Sequence, residues 1–320
     1  MRAATFACLT VSLLASPSAQ AQEYPAKAVR IITSTPGNFH DIVARRVAQS
    51  LTERWKQPVI VENRGGAGAI IAATAVAQAP ADGYTLLVTD RTAMAVQPSL
   101  NSHLGYDPVK DLAPITLLGA APLLLVAHPS VAAGTLPEFI AHLRAAPDSV
   151  PFASAGPGTG PHLLAEVLKQ STGANLVSVQ YKGSPAAMMG LLGGETKAAF
   201  MLVPVGLPHV RAGKVKVFAT TGKARFPGAP DIPCVAEVGM KDLESELWLA
   251  LMAPARTPKP IIAKVHRDVV EILSDPAIKA TLNAQGADIA HSTPAELSAF
   301  MLSETAKWKK VIALAGVKPD

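Results

Sequence analysis

Residues 29–63 read VRIITSTPGNFHDIVARRVAQSLTERWKQPVIVEN and predict the first strand–helix–strand unit of the chain. The β-branched run at residues 29–32 predicts a strand, and residues 59–61 predict the next one. Between these strands, apolar side chains recur at every fourth position, as on one face of a helix: Val43, Val47, Leu51 and Trp55. This unit sets the pattern for the rest of the chain.

The same alternation of strand and helix continues after residue 63. An Ala-rich helix is predicted at residues 70–78 and a third strand at residues 86–88. A second series has strands at residues 152–154, 177–179, 199–202 and 215–219, and helices at residues 162–170 and 185–192. This alternation is typical of an α/β fold with a mainly parallel sheet and helices on both faces.

The last block, residues 257–320, predicts three helices and no strands. Because it has no strand partners of its own, we expect it to pack back on the first unit. Apolar, extended segments near residues 118–124 and 247–252 are predicted to cross between the units. The result is two α/β lobes with two crossings and a cleft between the lobes.

The N-terminus predicts export. Arg2 precedes an apolar stretch at residues 3–15, which is too short to span a bilayer. Ala19-Gln20-Ala21 then matches the small-x-small rule for secretory cleavage. We interpret residues 1–21 as a signal peptide that is removed after Ala21; the alternative is a buried N-terminal core helix.

Composition excludes several classes of protein. Hydrophobic residues make up 49% and charged residues 17%, which is too apolar for a disordered chain. The net charge of +5 comes from scattered basic residues, so no nucleic-acid partner is predicted. The eight histidines lie in no metal-ligand spacing such as HExxH, so we predict no metal and no other cofactor.

Strand-to-helix loops are the candidate binding elements, because ligands of open α/β sheets sit outside the carboxyl ends of the strands. The first loop, residues 33–41, places hydroxyl residues, a glycine and Asn38 before a helix with Asp41 in its first turn. Free N–H groups at such a helix start bind anions. The alternative is a plain turn capped by Asn38 or Asp41.

The second loop, residues 154–162, carries three glycines and Thr159 directly after a strand. It matches neither a Walker loop nor GxGxxG nor a GxSxG elbow. We interpret it as a backbone-lined cradle for a carboxylate or small anion, and the alternative is a flexible tight turn.

Two further loops carry cationic side chains. In residues 181–185, Lys182 is suited to supply charge and Ser184 to cap a helix; alternatively Lys182 is solvated and Ser184 merely caps. Arg91 follows an apolar strand and is suited to bind a carboxylate with two hydrogen bonds, or else to pair with Asp90 or another local acid.

Collinear motifs along residues 22–320 carry a family resemblance. In chain order they are Glu23-Tyr24-Pro25, Val59–Arg64 followed by Gly66-Ala67-Gly68, Asp82–Leu86, Tyr106–Leu112, Ala153–Gly156, Pro161–Leu163, Tyr181–Ser184, Leu192–Gly194, Leu207–His209, Ala253-Pro254 with Thr257–Pro260, and Gln285–Ala287. In this order they resemble the Bug-type (TctC-like) extracytoplasmic solute-binding proteins of tripartite tricarboxylate transporters.

The resemblance implies a type II periplasmic-binding-protein fold, in which two α/β lobes close on a small ligand without catalysis. It implies organic acids as ligands, held largely by backbone N–H groups, hydroxyls, ordered water and helix N-termini. It also implies a periplasmic location and the membrane permease subunits of a tripartite tricarboxylate transporter as partners.

The chain departs from the family pattern at several positions. Ser34 stands where the family has an aromatic pocket wall, and Met201 where it often has an aspartate. Arg91 stands where a small residue is common. These changes make the predicted cleft more positive and roomier. We therefore hypothesise a ligand with more negative charge, or a bulkier apolar body against Met201, than an acidic amino acid.

The sequence thus predicts a signal peptide at residues 1–21, lobe 1 at residues 22–122 plus 248–320, and lobe 2 at residues 123–247. The predicted ligand contacts are Ser34, Thr35, Gly37, Asn38, Asp41, Arg91, Thr92, Gly158, Thr159, Gly160, His162, Lys182, Gly183, Ser184 and Met201. The expected function is capture of a di-, tri- or aromatic carboxylate by a monomer, with no catalytic residues. The alternatives are a carboxylate sensor subunit for a membrane signalling kinase and an exported hydrolase.

Overall fold

The computed structural model describes residues 24–66, 69–101, 103–284 and 286–314. The signal peptide predicted at residues 1–21 lies outside these ranges. Within them, no helix combines the length and the apolar character that a membrane crossing requires.

A mixed sheet forms the centre of the molecule. Its strands are β1 (Val29–Thr33), β2 (Val59–Asn63), β3 (Thr85–Asp90), β4 (Leu112–Ala127), β5 (Val150–Ser154), β6 (Leu176–Gln180), β7 (Ala198–Leu202), β8 (Lys216–Thr220) and β9 (Glu246–Pro254). Their order is β2-β1-β3-β9-β4-β7-β5-β6, and β8 pairs with β4 on the edge opposite β7. The sheet therefore has two outer groups of strands joined through β9 and β4.

Helices follow most strands. They are α1 (Phe39–Trp55), α2 (Ile70–Ala77), α3 (Gln97–Leu100), α4 (Leu136–Ala145), α5 (Gly160–Thr172), α6 (Ser184–Leu192), α7 (Val203–Arg211), α8 (Lys259–Ser274), α9 (Pro276–Ala284) and α10 (Pro294–Leu314). A π-helical turn, Thr92–Val96, leads from β3 into α3.

The two outer groups are parallel, as predicted, but their connection is antiparallel. Strand β1 pairs in parallel with β2 and β3, and β5 pairs in parallel with β6 and β7. Strands β4 and β9 run antiparallel to each other and to their neighbours. The sheet is thus mixed and not mainly parallel. Strand β4 leads from lobe 1 to lobe 2 and β9 leads back, so these two neighbouring strands run in opposite directions.

The two predicted crossings are β4 and β9. Residues 112–122 of β4 pair with β9, whereas residues 123–127 pair with β7 and β8. One strand therefore belongs to both lobes: lobe 1 contains β1–β3 and β9, and lobe 2 contains β5–β8. The boundaries at residues 122/123 and 247/248 fall inside β4 and β9, and they stay a prediction.

The C-terminal block packs back on lobe 1, as expected. Helix α8 contacts α1 and β4, and α10 contacts β4, α3 and the π-helical turn. The side chain of Trp308 on α10 is buried, which fixes this helix beneath the turn that follows β3.

Some elements were missed in the sequence. Helix α4 begins after Thr135, whose hydroxyl accepts a hydrogen bond from the Glu138 N–H. Helix α7 contains Pro208 in its interior, so its sequence resembles a loop. The turn at Thr92–Val96 buries every residue and shows no amphipathic pattern to detect.

Candidate functional site

A cavity of about 690 Å³ lies between the lobes. Its walls come from the loops that follow β1, β2, β3, β5 and β6, together with side chains of the crossing strands, Leu123 and Leu247. The helices α1, α5 and α6 begin at this cavity, so the positive ends of their dipoles meet there.

The first loop is held by an internal network of hydrogen bonds. The Asn38 side chain caps α1 by accepting from the Asp41 N–H at 3.2 Å, and Asp41 accepts from the Gly37 N–H at 3.0 Å. Burial acts to raise the pKa of Asp41, but hydrogen bonds from Arg45 and Gly37 outweigh it and keep that pKa below its usual value. Asp41 therefore shapes the loop as a carboxylate, and Ser34, Thr35 and Asn38 line the cavity.

The second loop presents backbone to the cavity. Its N-cap residue is Thr159, whose hydroxyl donates to the Gly156 carbonyl at 2.7 Å. His162 accepts from the Gly158 N–H through Nδ1 at 3.1 Å, and burial lowers its pKa, which favours the neutral imidazole. In the first turn of α5, the N–H groups of Gly160 and His162 have no acceptor within the helix and are free for a ligand. Pro161 has no N–H, and the Leu163 N–H donates to the Thr159 carbonyl.

The third loop brings α6 to the cavity. Its N-cap is Gly183, at a φ of 95°, so the expectation that Ser184 caps the helix is wrong. Ser184 is instead the first helical residue, buried and lining the cavity, while Lys182 is exposed at the rim. A side chain at 183 would be strained by the positive φ, which favours glycine there.

The fourth loop places Arg91 inside the protein. Its side chain is 1% exposed, and Nη1 donates to Ser245 Oγ at 2.6 Å and to the Glu246 carbonyl at 2.7 Å. The guanidinium carbon lies 4.1 Å from the centre of the Trp308 ring. Burial lowers the pKa of Arg91 to about 10, which leaves it cationic at neutral pH.

Asp90 is engaged elsewhere and forms no ion pair with Arg91 among the described residues. Its carboxylate lies 3.0 Å from His40 Nε2 and accepts from the Ala93 N–H at 3.2 Å. Burial acts to raise the pKa of Asp90, yet the contact with His40 and the Ala93 N–H hold it below its usual value. The alternative in which Arg91 pairs with Asp90 is therefore corrected.

The structure brings most of the predicted residues to one cavity. Those that line it are Ser34, Thr35, Asn38, Arg91, Thr92, Thr159, Gly160, Lys182, Gly183 and Ser184. Gly37, Asp41, Gly158 and His162 lie in the same loops, where they support the lining residues. Whether any of them binds a ligand stays a prediction.

Met201 does not line the cavity, although the sequence predicted a ligand contact there. Its side chain is buried in an apolar cluster of lobe 2, where it packs near Gly206. The adjacent Leu202 faces the cavity instead, because successive side chains of a strand point to opposite faces. The predicted apolar contact at residue 201 is thus corrected to residue 202.

Sequence reasoning missed several lining residues. Gln97 and Asn101 come from α3 and its C-cap, an element that was not predicted, and Tyr181 precedes the third loop. Leu123 and Leu247 lie in the predicted crossings, so their place beside the cleft was available from the sequence. Among the described residues, no cluster of His, Cys, Asp or Glu is arranged to hold a metal ion.

Comparison with known proteins identifies the family to which the chain is related. Residues 43–317 match the family described as TctC, tripartite tricarboxylate transporter family receptor. The chain is 36% identical to Protein BugT of Bordetella pertussis over 300 residues, which cover 93% of this chain and 92% of BugT.

Solved structures show the same fold. R. palustris Rpa4515 with adipate is 29% identical, has a TM-score of 0.90, and is matched over 93% of this chain and all of that chain. MatC from Rhodopseudomonas palustris with bound malate is 29% identical, has a TM-score of 0.83, and is matched over 90% of this chain and all of that chain. With its two lobes, its interlobe cavity and a family match over most of its length, the chain belongs to the TctC family of tripartite tricarboxylate transporter receptors.

Proposed function

We propose that this protein captures a small organic carboxylate in the periplasm and delivers it to a tripartite tricarboxylate-type permease. The observation that carries the proposal is the convergence of three helix N-termini and the buried Arg91 guanidinium on one cavity. Helix N-termini and guanidinium groups both favour oxyanions. Two relatives bound to adipate and malate support a carboxylate as the class of ligand.

Thermal unfolding of residues 22–320 against a panel of mono-, di- and tricarboxylates and amino acids tests the proposal. The protein is first unfolded in guanidinium chloride and refolded, so that any co-purified ligand is removed. A ligand at 100 times its Kd adds about 2.7 kcal/mol to the free energy of unfolding. For a chain of this length we expect Tm to rise by a few degrees, on the order of 2–4 °C per kcal/mol at most.

The matched control uses the carboxamide of each acid that raises Tm. The amide keeps the shape of the acid but removes its charge, so it should give no rise. A rise for one class of acids with none for the amides supports the proposal. Equal Tm values with and without every acid in the panel would contradict it.

We further propose that binding occurs without turnover. His40 and Asp90 line the cavity as a pair, but His40 Nδ1 has no hydrogen-bond partner within the described part of the chain. The pair therefore lacks the hydroxyl nucleophile that a hydrolase would need. The bound acid should be recovered unchanged, in a 1:1 ratio, after prolonged incubation; loss of the acid with product formation would contradict this.

Location and partners are also open to direct measurement. We propose cleavage after Ala21, so mass spectrometry of the periplasmic protein should give a chain that begins at Gln22.

We propose that the protein is a monomer, which light scattering would show as the mass of one mature chain. Uptake of the bound acid by vesicles that contain the permease, dependent on this protein, would support the transport role over a sensor role.

A further inference from the structure

The buried Arg91 side chain has an unused hydrogen-bonding edge. Nη1 is occupied by Ser245 and the Glu246 carbonyl, whereas Nε and Nη2 are buried and have no partner among the described residues. These two nitrogens lie on the same side of the planar guanidinium, and together they form the edge that holds a carboxylate by two parallel hydrogen bonds. An unpartnered buried donor is costly, so this edge calls for an acceptor.

The acids nearest to Arg91 do not supply that acceptor. Asp90 is held by His40 and the start of the π-helical turn. Glu304 on α10 accepts from the indole N–H groups of Trp248 and Trp308 at 2.9 and 3.1 Å. The carboxylates of Glu304, Asp90 and Glu246 raise the pKa of Arg91 through space, but none of them forms an ion pair with it in the described structure.

The free edge faces the start of α5 in lobe 2. A Cβ added to Gly160, the first residue of α5, would collide with Nη2 of Arg91, so the guanidinium lies directly against this backbone. The N-terminus of a helix carries a partial positive charge. Two positive groups therefore meet across the cleft, each with unused N–H donors, which is unfavourable unless an anion lies between them.

We propose that Arg91 is the specificity-determining residue of the cleft, and that an oxyanion of the ligand, admitted when the lobes part, binds to both its Nε–Nη2 edge and the N-terminus of α5. This inference rests on the proposed function, because it assigns one group of the proposed acid to a particular place. It adds that Arg91 couples binding to closure. With the anion present both positive groups are satisfied and the lobes are held together; without it their repulsion favours separation of the lobes.

The test compares the wild-type protein with Arg91→Met and Arg91→Lys by calorimetry, using each acid that raises the wild-type Tm. Arg91→Met removes the charge and keeps an apolar side chain of similar length, and we expect affinity to fall at least about tenfold. Arg91→Lys keeps the charge but lacks the two-donor edge, so it should restore only part of that loss. The charge-matched control is Lys110→Met, since the Lys110 side chain is 82% exposed and distant from the cavity lining; its affinity should match that of the wild type.

A second measurement needs no ligand. Small-angle X-ray scattering of the refolded, ligand-free proteins should give a smaller radius of gyration for Arg91→Met than for the wild type, because the repulsion across the cleft is gone. Circular dichroism and Tm confirm that the variant is folded, and Arg91→Lys, which keeps the positive charge, should remain as open as the wild type.

The outcomes separate the two proposals. If wild type and Arg91→Met bind the same acid within twofold and have equal radii of gyration, the inference about Arg91 is overturned while the carboxylate-binding function stands. If no acid binds the wild type, the proposed function fails. The radii of gyration of the ligand-free wild type and Arg91→Met still decide whether Arg91 opposes closure of the lobes. Loss of affinity in Arg91→Met together with its compaction supports both.

Discussion

At the scale of single residues, Trp308 is placed to report what happens at Arg91. The indole ring lies under the guanidinium, and its N–H donates to Glu304. An anion that binds Arg91 changes the electric field at this ring, whereas Trp55 lies in another cluster against Asp268. Intrinsic fluorescence should therefore change when an acid binds, and the change should originate at Trp308.

Single Trp→Phe variants test this expectation. Trp308→Phe should remove most of the ligand-dependent change in fluorescence, and Trp55→Phe should retain it. Calorimetry must verify binding in each variant, so that loss of the fluorescence change is distinguished from loss of affinity. A full change that persists in both variants would contradict an origin at Trp308 and would assign the signal to Trp248, whose indole N–H donates to the same Glu304 carboxylate.

Gly160 is the second residue with a specific requirement. Arg91 is fixed by Ser245, Glu246 and Trp308, so it has no free direction in which to avoid a methyl group at 160. We expect Gly160→Ala to lower affinity for the acid at least about tenfold. The Tm of the ligand-free protein should change little, because the separated lobes keep residue 160 away from Arg91 and alanine suits a helix. Calorimetry and thermal unfolding measure the two effects.

Gly134→Ala is the matched control for that variant. Gly134 is exposed in lobe 2, and a Cβ there would lie 3.4 Å from the Glu138 carboxylate, an ordinary approach to a flexible side chain. Its affinity should equal that of the wild type. If Gly160→Ala bound as tightly as this control, the close contact between Arg91 and α5 would be unimportant for binding.

At the scale of elements, the contact between α1 and α8 includes one buried carboxylate. Asp268 accepts from the Trp55 indole N–H at 2.7 Å, and Lys264 Nζ lies 3.2 Å away. A hydrogen bond to a charged group contributes about 1.5–3 kcal/mol. Trp55→Phe should therefore lower the free energy of unfolding by at least about 1.5 kcal/mol, as measured in guanidinium chloride.

The comparison variant is Lys264→Met, which removes a partly exposed ion-pair partner of the same carboxylate. Exposed ion pairs contribute about 0–1 kcal/mol, so this variant should cost less than Trp55→Phe. Equal costs for the two variants would contradict the assignment of the stability to the buried indole–carboxylate bond.

Helices and strands were predictable where apolar residues recur at a regular spacing or where the sequence marks the end of the element. Helix α1 shows its buried face at every fourth residue, and it ends at Lys56 in the left-handed region. Helix α7 was missed because Pro208 interrupts its interior. The turn at Thr92–Val96 was missed because it is buried on all sides, so tertiary packing rather than local pattern determines its shape.

The same distinction holds for the site. The loops that follow β1, β5 and β6 were predicted, because glycines and small polar residues between a strand and a helix are a local signal. The surroundings of Arg91 were not, because Ser245 and Trp308 are distant in sequence and approach it only in the folded chain. The partner of a buried charge is a tertiary property that one sequence does not display.

At the scale of the whole molecule, buried carboxylates make stability depend on pH. Contacts hold the pKa values of Asp41, Asp90 and Asp268 below their usual range, although burial opposes this in each case. A lowered pKa in the folded state stabilises the fold above the unfolded pKa of about 4, and this stabilisation is lost as pH falls through the folded pKa. Burial raises the pKa of Glu246, which acts in the opposite direction.

Asp107, Glu138, Glu237 and Glu296 also have lowered pKa values, so seven lowered values stand against one raised value among the described carboxylates, which predicts net loss of stability in acid. Urea unfolding between pH 7 and pH 3 should show a shallow fall in the free energy of unfolding below about pH 6.5, because His162 is protonated more easily in the unfolded chain than in the fold, and a steep fall below about pH 4. Asp268→Asn should be less stable at pH 7 and show a shallower fall. A free energy that stays constant to pH 3 would contradict the lowered pKa values.

The discontinuity of lobe 1 has a consequence for how the protein is made. Arg91 leaves the ribosome long before Ser245, Glu246 and Trp308, the residues that hold its guanidinium. Until β9 and α10 have been exported and have packed against β3, the guanidinium of Arg91 lacks the contacts that hold it in the folded protein. If Arg91 binds the ligand as proposed, affinity for the anion is gained only after α10 is in place. A chain truncated during export should therefore not bind the ligand and should not compete for it with complete copies.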